Sequence, residues 1–239
     1  MLQKTTGLVL HTTPHGETSL IVKMFTRQLG VRSYMVKGVR SVKGRTKQNL
    51  MQPLSYLDMV VYDKPRDINF IKEILPACQW QSLDTNPVKT ALRFFASETL
   101  YKSLRENEPS PTLFDFVVKS LCQLDENDTA SASFPITFLL GLSHHIGIEP
   151  LDNYSRRLSR FNLAEGCFQE PSPIVPQLSS STSQLLHTYL LYLRNATSLN
   201  TIPFAERQQL LTSLITYYEI HLSDFRNFKS HEVLHAVLR

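Results

Sequence analysis

Between Glu17 and Asp58 the chain carries no acidic residue, yet the same window holds Lys23, Arg27, Arg32, Lys37, Arg40, Lys43, Arg45 and Lys47. Cations without neutralising partners are the footprint of a surface that binds a polyanion. The densest part is KGVRSVKGRTK, Lys37 to Lys47, in which Gly38 and Gly44 let the backbone approach a sugar-phosphate chain. Single-stranded nucleic acid is held by such cations together with aromatic faces on which bases stack. Strand alternation puts Arg32, Tyr34 and Val36 on one face and Val31, Ser33 and Met35 on the other. If Arg32 faces solvent, so does Tyr34, and the two make a candidate stacking surface. The plainer reading packs Tyr34 at the edge of a barrel. Phe25, Tyr56, Tyr62 and Phe70 read as core or rim.

Charge is unevenly spread over the 239 residues. Residues 1–80 carry 12 Lys+Arg against 5 Asp+Glu, a net +7; residues 81–239 carry 13 against 16, a net −3. Other chemistry is missing. There is no GxxxxGK[ST] or GxGxxG phosphate loop and no GxSxG nucleophile motif. His144 and His145 are adjacent, and neighbours on a helix diverge by about 100°, so they do not share a metal easily. Asp152, Glu165 and Glu170 form no carboxylate pair at a diagnostic spacing. The three cysteines, Cys78, Cys122 and Cys167, are far apart and odd in number, which fits neither a disulfide framework nor a CxxC metal clip and suits a reducing cytoplasm. No catalytic residue, metal site or cofactor is expected, and the chain does not read as an enzyme. No run approaches the roughly 18 apolar residues of a membrane span, and the N-terminus lacks the pattern of a signal peptide.

The elements that must position the cations are short strands. Five β-rich runs, Thr6–His11, Leu20–Thr26, Val31–Lys37, Leu57–Tyr62 and Ile68–Leu75, are separated by turn signals. The longest gap, about Gly38 to Ser55, falls between the third and fourth. Five strands with that insert fit an OB-fold barrel. After Pro76 the periodicity becomes helical. Asn86–Pro87 and Ser110–Pro111 each pair a cap with a proline at the first helical position, opening helices to about Arg105 and over Thr112–Leu124. Ser133–Phe134–Pro135 starts another, to about Ile146. Residues 183–196 and 204–225 repeat apolar side chains at helical spacing, and His231–Leu238 completes the set. The predicted class is therefore an α+β multidomain protein: an OB-fold barrel over 1–78, then an all-helical domain over 79–239, interrupted by an irregular, proline-rich insertion at about 149–181.

The segments GLVLHTTPHGETSLIVKMFTRQLG and VRSYMVKGVRSVKGRTKQNLMQPLSYLDMVVY resemble the N-terminal domain of the bacterial recombination mediator family RecO. The matching features are Gly16–Glu17, Phe25–Thr26 ahead of Gly30, the Lys37–Gly38–Val39–Arg40 turn, and Gln52–Pro53. The resemblance implies a protein of DNA repair and recombination that binds single- and double-stranded DNA and anneals complementary strands without ATP. It also implies that the protein works with RecR, binds the acidic C-terminal tail of the single-strand DNA-binding protein SSB, and so helps RecA onto SSB-coated DNA. Location would be cytoplasmic and nucleoid-associated. Nucleic-acid contact is carried over to Arg32, Lys37, Arg40, Lys43, Arg45 and Lys47, with Tyr34 as the stacking candidate. Lys89, Arg93, Lys102 and Arg105 are candidate cations for the SSB tail. Many relatives carry a cysteine-rich zinc module in the helical insertion; here the stretch is degenerate, with Cys167 as its one cysteine. Four ligands are usual for structural zinc, so no zinc is expected. The rival classes are an RNA-binding OB-fold protein of RNA processing or translation, and a nuclease, which lacks an acidic cluster for its metal.

Overall fold

The computed structural model describes residues 1–39, 48–64, 68–106, 108–199, 201–230 and 234. It divides into two compact units, Met1–Glu126 and Asn127–Arg239.

The first unit is built on a closed barrel of β1 (Leu2–His15), β2 (Ser19–Thr26), β3 (Gly30–Val36), β4 (Tyr56–Tyr62) and β5 (Ile68–Pro76). Strand order is β1-β2-β3-β5-β4, and β1 pairs with β4 to close it. β1 is longer than its apolar run because it serves two partners. Leu2–Leu8 pair with β4 and Gly7–His15 with β2, with a register shift between Val9 and His11. Such a bulge bends a strand and lets it turn a barrel corner. The barrel is completed by a short parallel pairing, Ser33–Met35 of β3 against Ile68–Phe70 of β5. Its interior holds Val9, Val22, Met24, Tyr34, Val36, Leu57, Met59 and Val61, all buried. Gly30, at φ +68, opens β3 where a Cβ would lie 2.5 Å from the Glu108 carbonyl oxygen, so neither the conformation nor the space admits a side chain.

Two helices belong to this unit, α1 (Pro87–Ser103) and α2 (Pro111–Glu126). The Asn86 side chain accepts from the Val88 and Lys89 amides, as its cap position predicts. Ser97 of α1 donates to the Leu10 carbonyl of β1 at 2.9 Å, and Phe114 of α2 lies against Phe25, ring centroids 5.3 Å apart. At the end of α2 the Asp125 carboxylate accepts from the amides of Gln81, Ser82 and Leu83 and from the Ser82 hydroxyl, tying down the link that follows the barrel.

In the second unit, α3 (Phe134–His145), α4 (Ser180–Leu193) and α5 (Phe204–His221) pack together. Tyr218 of α5 donates to the Leu139 carbonyl of α3 at 2.6 Å. Ser179 of the serine tract caps α4 by accepting from the Thr182 amide. The insertion is more regular than its composition suggests. It contains a two-stranded hairpin, β6 (Arg160–Asn162) and β7 (Cys167–Gln169), turned at Gly166 with φ +67. The helix expected over 231–238 lies outside the described residues, except that Leu234 is buried. Among the described residues no helix is long and apolar enough to cross a membrane.

Burial pushes the Asp125 carboxyl up, but its hydrogen bonds to Gln81, Leu83 and Ser82 outweigh burial and hold it below its ordinary value. A depressed carboxyl contributes stability that is fully present above its unfolded pKa of about 3.9 and is lost as pH falls through the folded value. Asp125→Ala is expected to cost ~1–3 kcal/mol at neutral pH by stranding these donors. Urea unfolding of both proteins should show that difference constant near neutrality and shrinking below about pH 4.

Candidate nucleic-acid interface

The expected contacts meet different fates in the fold. Lys37 follows β3 and is exposed. Its Nζ stands over the Phe70 ring, 5.7 Å from the centroid, a cation–π contact worth about 0.5–1 kcal/mol at an exposed site. Gly38 beside it has φ +72, and a Cβ there would meet nothing within 4 Å, so the backbone at this turn is open to a close ligand. Arg40, Lys43, Arg45 and Lys47 lie outside the described residues.

Arg32 is half-buried, and its Nε is buried without a hydrogen-bond partner among the described residues. Tyr34 corrects the stacking expectation. The face shared by Arg32, Tyr34 and Val36 points into the barrel, and Tyr34 is 1% exposed. A ring in the core offers no face to a base. Its hydroxyl has no hydrogen-bond partner among the described residues, and burial holds the phenol well above its ordinary range, with Arg32 pulling it back only in part.

Two cations of the acid-free window are neutralised from farther along the chain. Lys23 Nζ lies 2.8 Å from Glu106 and over the Tyr101 ring. Arg27 makes a two-pronged pair with Asp115, both contacts at 2.9 Å. The hydrogen bond to Asp115 and its charge raise the Arg27 pKa, and the Asp115 carboxyl is lowered in return, by the Arg27 hydrogen bond first. Arg27 thus ties the barrel to α2, and Lys23 ties it to the connection between α1 and α2. Lys89 and Arg93 are also spoken for. Lys89 is 1% exposed and donates to Ser82 and the Asp125 carbonyl, and Arg93, 4% exposed, pairs with Asp84. Neither presents a charge to a peptide tail. Of the other two α1-side candidates, Lys102 is half-buried and Arg105 exposed.

Two aromatic side chains that reach the surface of the barrel side by side are Tyr62 and Phe70. They are cross-strand partners of β4 and β5, Tyr62 being 40% exposed and Phe70 half-buried. Sequence reading placed them as core or rim. The signal available was their alternation with Val61 and Asn69, which point inward.

Comparison with known proteins decides what this barrel and its cations belong to. The model for the N-terminal part of recombination protein O matches residues 1–77, and that for its C-terminal part matches 85–231. The chain belongs to the RecO family. It is 33% identical over 239 residues to DNA repair protein RecO of Christiangramia forsetii, covering 99% of each chain. It is 33% identical to that of Phocaeicola vulgatus and 34% identical to that of Flavobacterium johnsoniae, each over 236 residues and 98% of both chains. This is a family of DNA repair and recombination.

The two RecO matches are separated by residues 78–84, between the last strand of the barrel and α1, whereas the compact barrel unit continues to Glu126 and includes α1 and α2. A zinc ion does not fit the RecO insertion as it stands in this chain. Cys167 Sγ accepts from Gln169 Nε2 at 3.8 Å, and among the described residues no group of three His, Cys, Asp or Glu converges on a point. The insertion is held otherwise. Asn153 exchanges two hydrogen bonds with the Phe168 backbone, at 2.8 and 3.0 Å. Asp152 accepts from His187 of α4 at 2.6 Å and from Arg194 at 3.3 Å, and Tyr154 stacks on the His187 ring.

Tyr34→Phe separates a core role from a contact role. Removing an unpartnered buried hydroxyl should leave stability unchanged or raise it by up to ~1 kcal/mol, with DNA affinity unaltered. Thermal unfolding and a DNA titration check both; a fall in affinity with stability intact would return Tyr34 to the interface.

Proposed function

We propose that this chain is a non-enzymatic, DNA-binding recombination mediator of the cytoplasm and nucleoid. It anneals complementary strands and, with RecR, helps load RecA onto single-stranded DNA coated with SSB, whose C-terminal tail it binds. The observation that carries the proposal is the one-signed segment at the end of β3. Of the cations in the acid-free window, Lys23 and Arg27 are paired internally and Arg32 is half-buried, while Lys37 is exposed and is followed in sequence by Arg40, Lys43, Arg45 and Lys47, which lie outside the described residues. Cations clustered in one short segment of the chain would neutralise the phosphates of two strands together and lower their mutual repulsion. This requires no ATP, metal or cofactor, because the driving force is base pairing. Contacts to backbone phosphates position the strands without reading sequence, so any complementary pair is a substrate.

The test is annealing of two complementary oligonucleotides, one coated with cognate SSB, without ATP or metal. Acceleration by the wild-type chain is expected. Arg40→Ala, Lys43→Ala and Arg45→Ala combined should lose most of it and weaken DNA binding by roughly tenfold or more, with the fold intact by circular dichroism. Wild-type protein that fails to accelerate annealing, or a triple variant of unchanged affinity, refutes the reading.

A further inference from the structure

The outer surface of the barrel carries a row of apolar side chains that the DNA-binding reading has not used. Register pairs Leu2 of β1 with Tyr62 of β4, Tyr62 with Phe70 of β5, and Phe70 with Met35 of β3. Their strand neighbours Val61 and Asn69 are buried, at 0% and 2% exposure, so Tyr62 and Phe70 face outward. The two line a cleft of about 230 Å³ with Lys64 and Asn69. The floor is fixed, because the buried Asn69 side chain accepts from the Lys64 amide at 3.2 Å. Lys37 stands beside Phe70, with its ammonium over the ring. Asp63, half-buried, is also in this corner.

We infer that Tyr62 and Phe70 form a stacking subsite for the unpaired bases of a single strand, with Lys37 and Lys64 on the flanking phosphates. The inference rests on the DNA-binding reading above and deepens it. Three observations favour this occupant. The cleft is smaller than the roughly 300–1,000 Å³ of a pocket for a drug-sized molecule and suits one planar ring system. Two exposed lysines accompany it, Lys64 in its lining and Lys37 over the Phe70 ring, matching a ligand whose flat apolar bases alternate with negative phosphates. The Phe70 face already attracts a cation, so it is open from the solvent side, and the exposed Lys37 is free to move to a phosphate when a base replaces it. A duplex hides its base faces in its own stack, so the subsite contributes to single strands alone. It makes the barrel prefer unpaired DNA, whereas the basic segment serves both forms.

Fluorescence anisotropy with a labelled oligothymidylate, an abasic strand of the same length and a duplex of the same length tests this. Tyr62→Ala should weaken oligothymidylate binding by roughly tenfold and change the other two by less than about twofold, and Tyr62→Phe should restore wild-type binding. Equal loss on all three ligands, or no loss on oligothymidylate, overturns the inference. Wild-type protein that binds none of the three overturns the DNA-binding reading along with it. If the triple variant Arg40→Ala, Lys43→Ala, Arg45→Ala loses all three ligands while Tyr62→Ala keeps oligothymidylate, the stacking subsite alone falls.

Discussion

Everything in the first unit depends on β1 pairing along both of its edges. Its first half is bound to β4 and its second half to β2, and the bulge between Val9 and His11 lets one strand turn that corner. Closure then forces a strict inside and outside on every strand, because a side chain either fills the barrel or leaves it. Tyr34 goes in and Phe70 goes out for this reason, although both are aromatic residues in strands that pair with each other.

Electrostatics follows from that frame. A window of eight cations without an acid is unstable against self-repulsion unless some are neutralised. Glu106 and Asp115, brought beside the barrel by α1 and α2, take up Lys23 and Arg27. These pairs tie α2 and the connection between α1 and α2 to the barrel, and the rest of the window's positive charge lies, in sequence, from Arg32 onward. The second unit solves a different problem. The insertion, where no three metal-ligating groups converge among the described residues, is tied to its surroundings by Asn153, Asp152, His187 and a stacked tyrosine. Individually these contacts are modest, but they bridge the insertion to α4 at several points.

Much of the fold was legible because its punctuation is chemical. Asn86–Pro87, Ser110–Pro111 and Ser133–Phe134–Pro135 mark helix starts that the structure reproduces within a few residues, and four of the five strands begin within a residue or so of their apolar runs. β1 was read too short because Leu2–Thr5 carries mixed polarity, and only its pairing with β4 makes it strand. The β6–β7 hairpin was missed because three-residue strands leave too little pattern to see. The run of cations was legible in the sequence, and the geometry around it was not. Alternation correctly grouped Arg32 with Tyr34, but a single strand does not say which of its faces is inward. Nor does local sequence reveal that Lys23 and Arg27 are claimed by acids some eighty residues away. Tyr62 and Phe70 become neighbours only through the β4–β5 register.

The central claim is that phosphate neutralisation by a one-signed surface drives binding, and the salt dependence of single-strand affinity tests it most directly. Each phosphate contact on a single strand contributes a slope of about −0.7 to a plot of log affinity against log salt concentration. The account predicts a slope of about −3 or steeper, set by several contacts from Lys37 and the segment beyond it. A flat plot would contradict it and place binding on uncharged contacts instead.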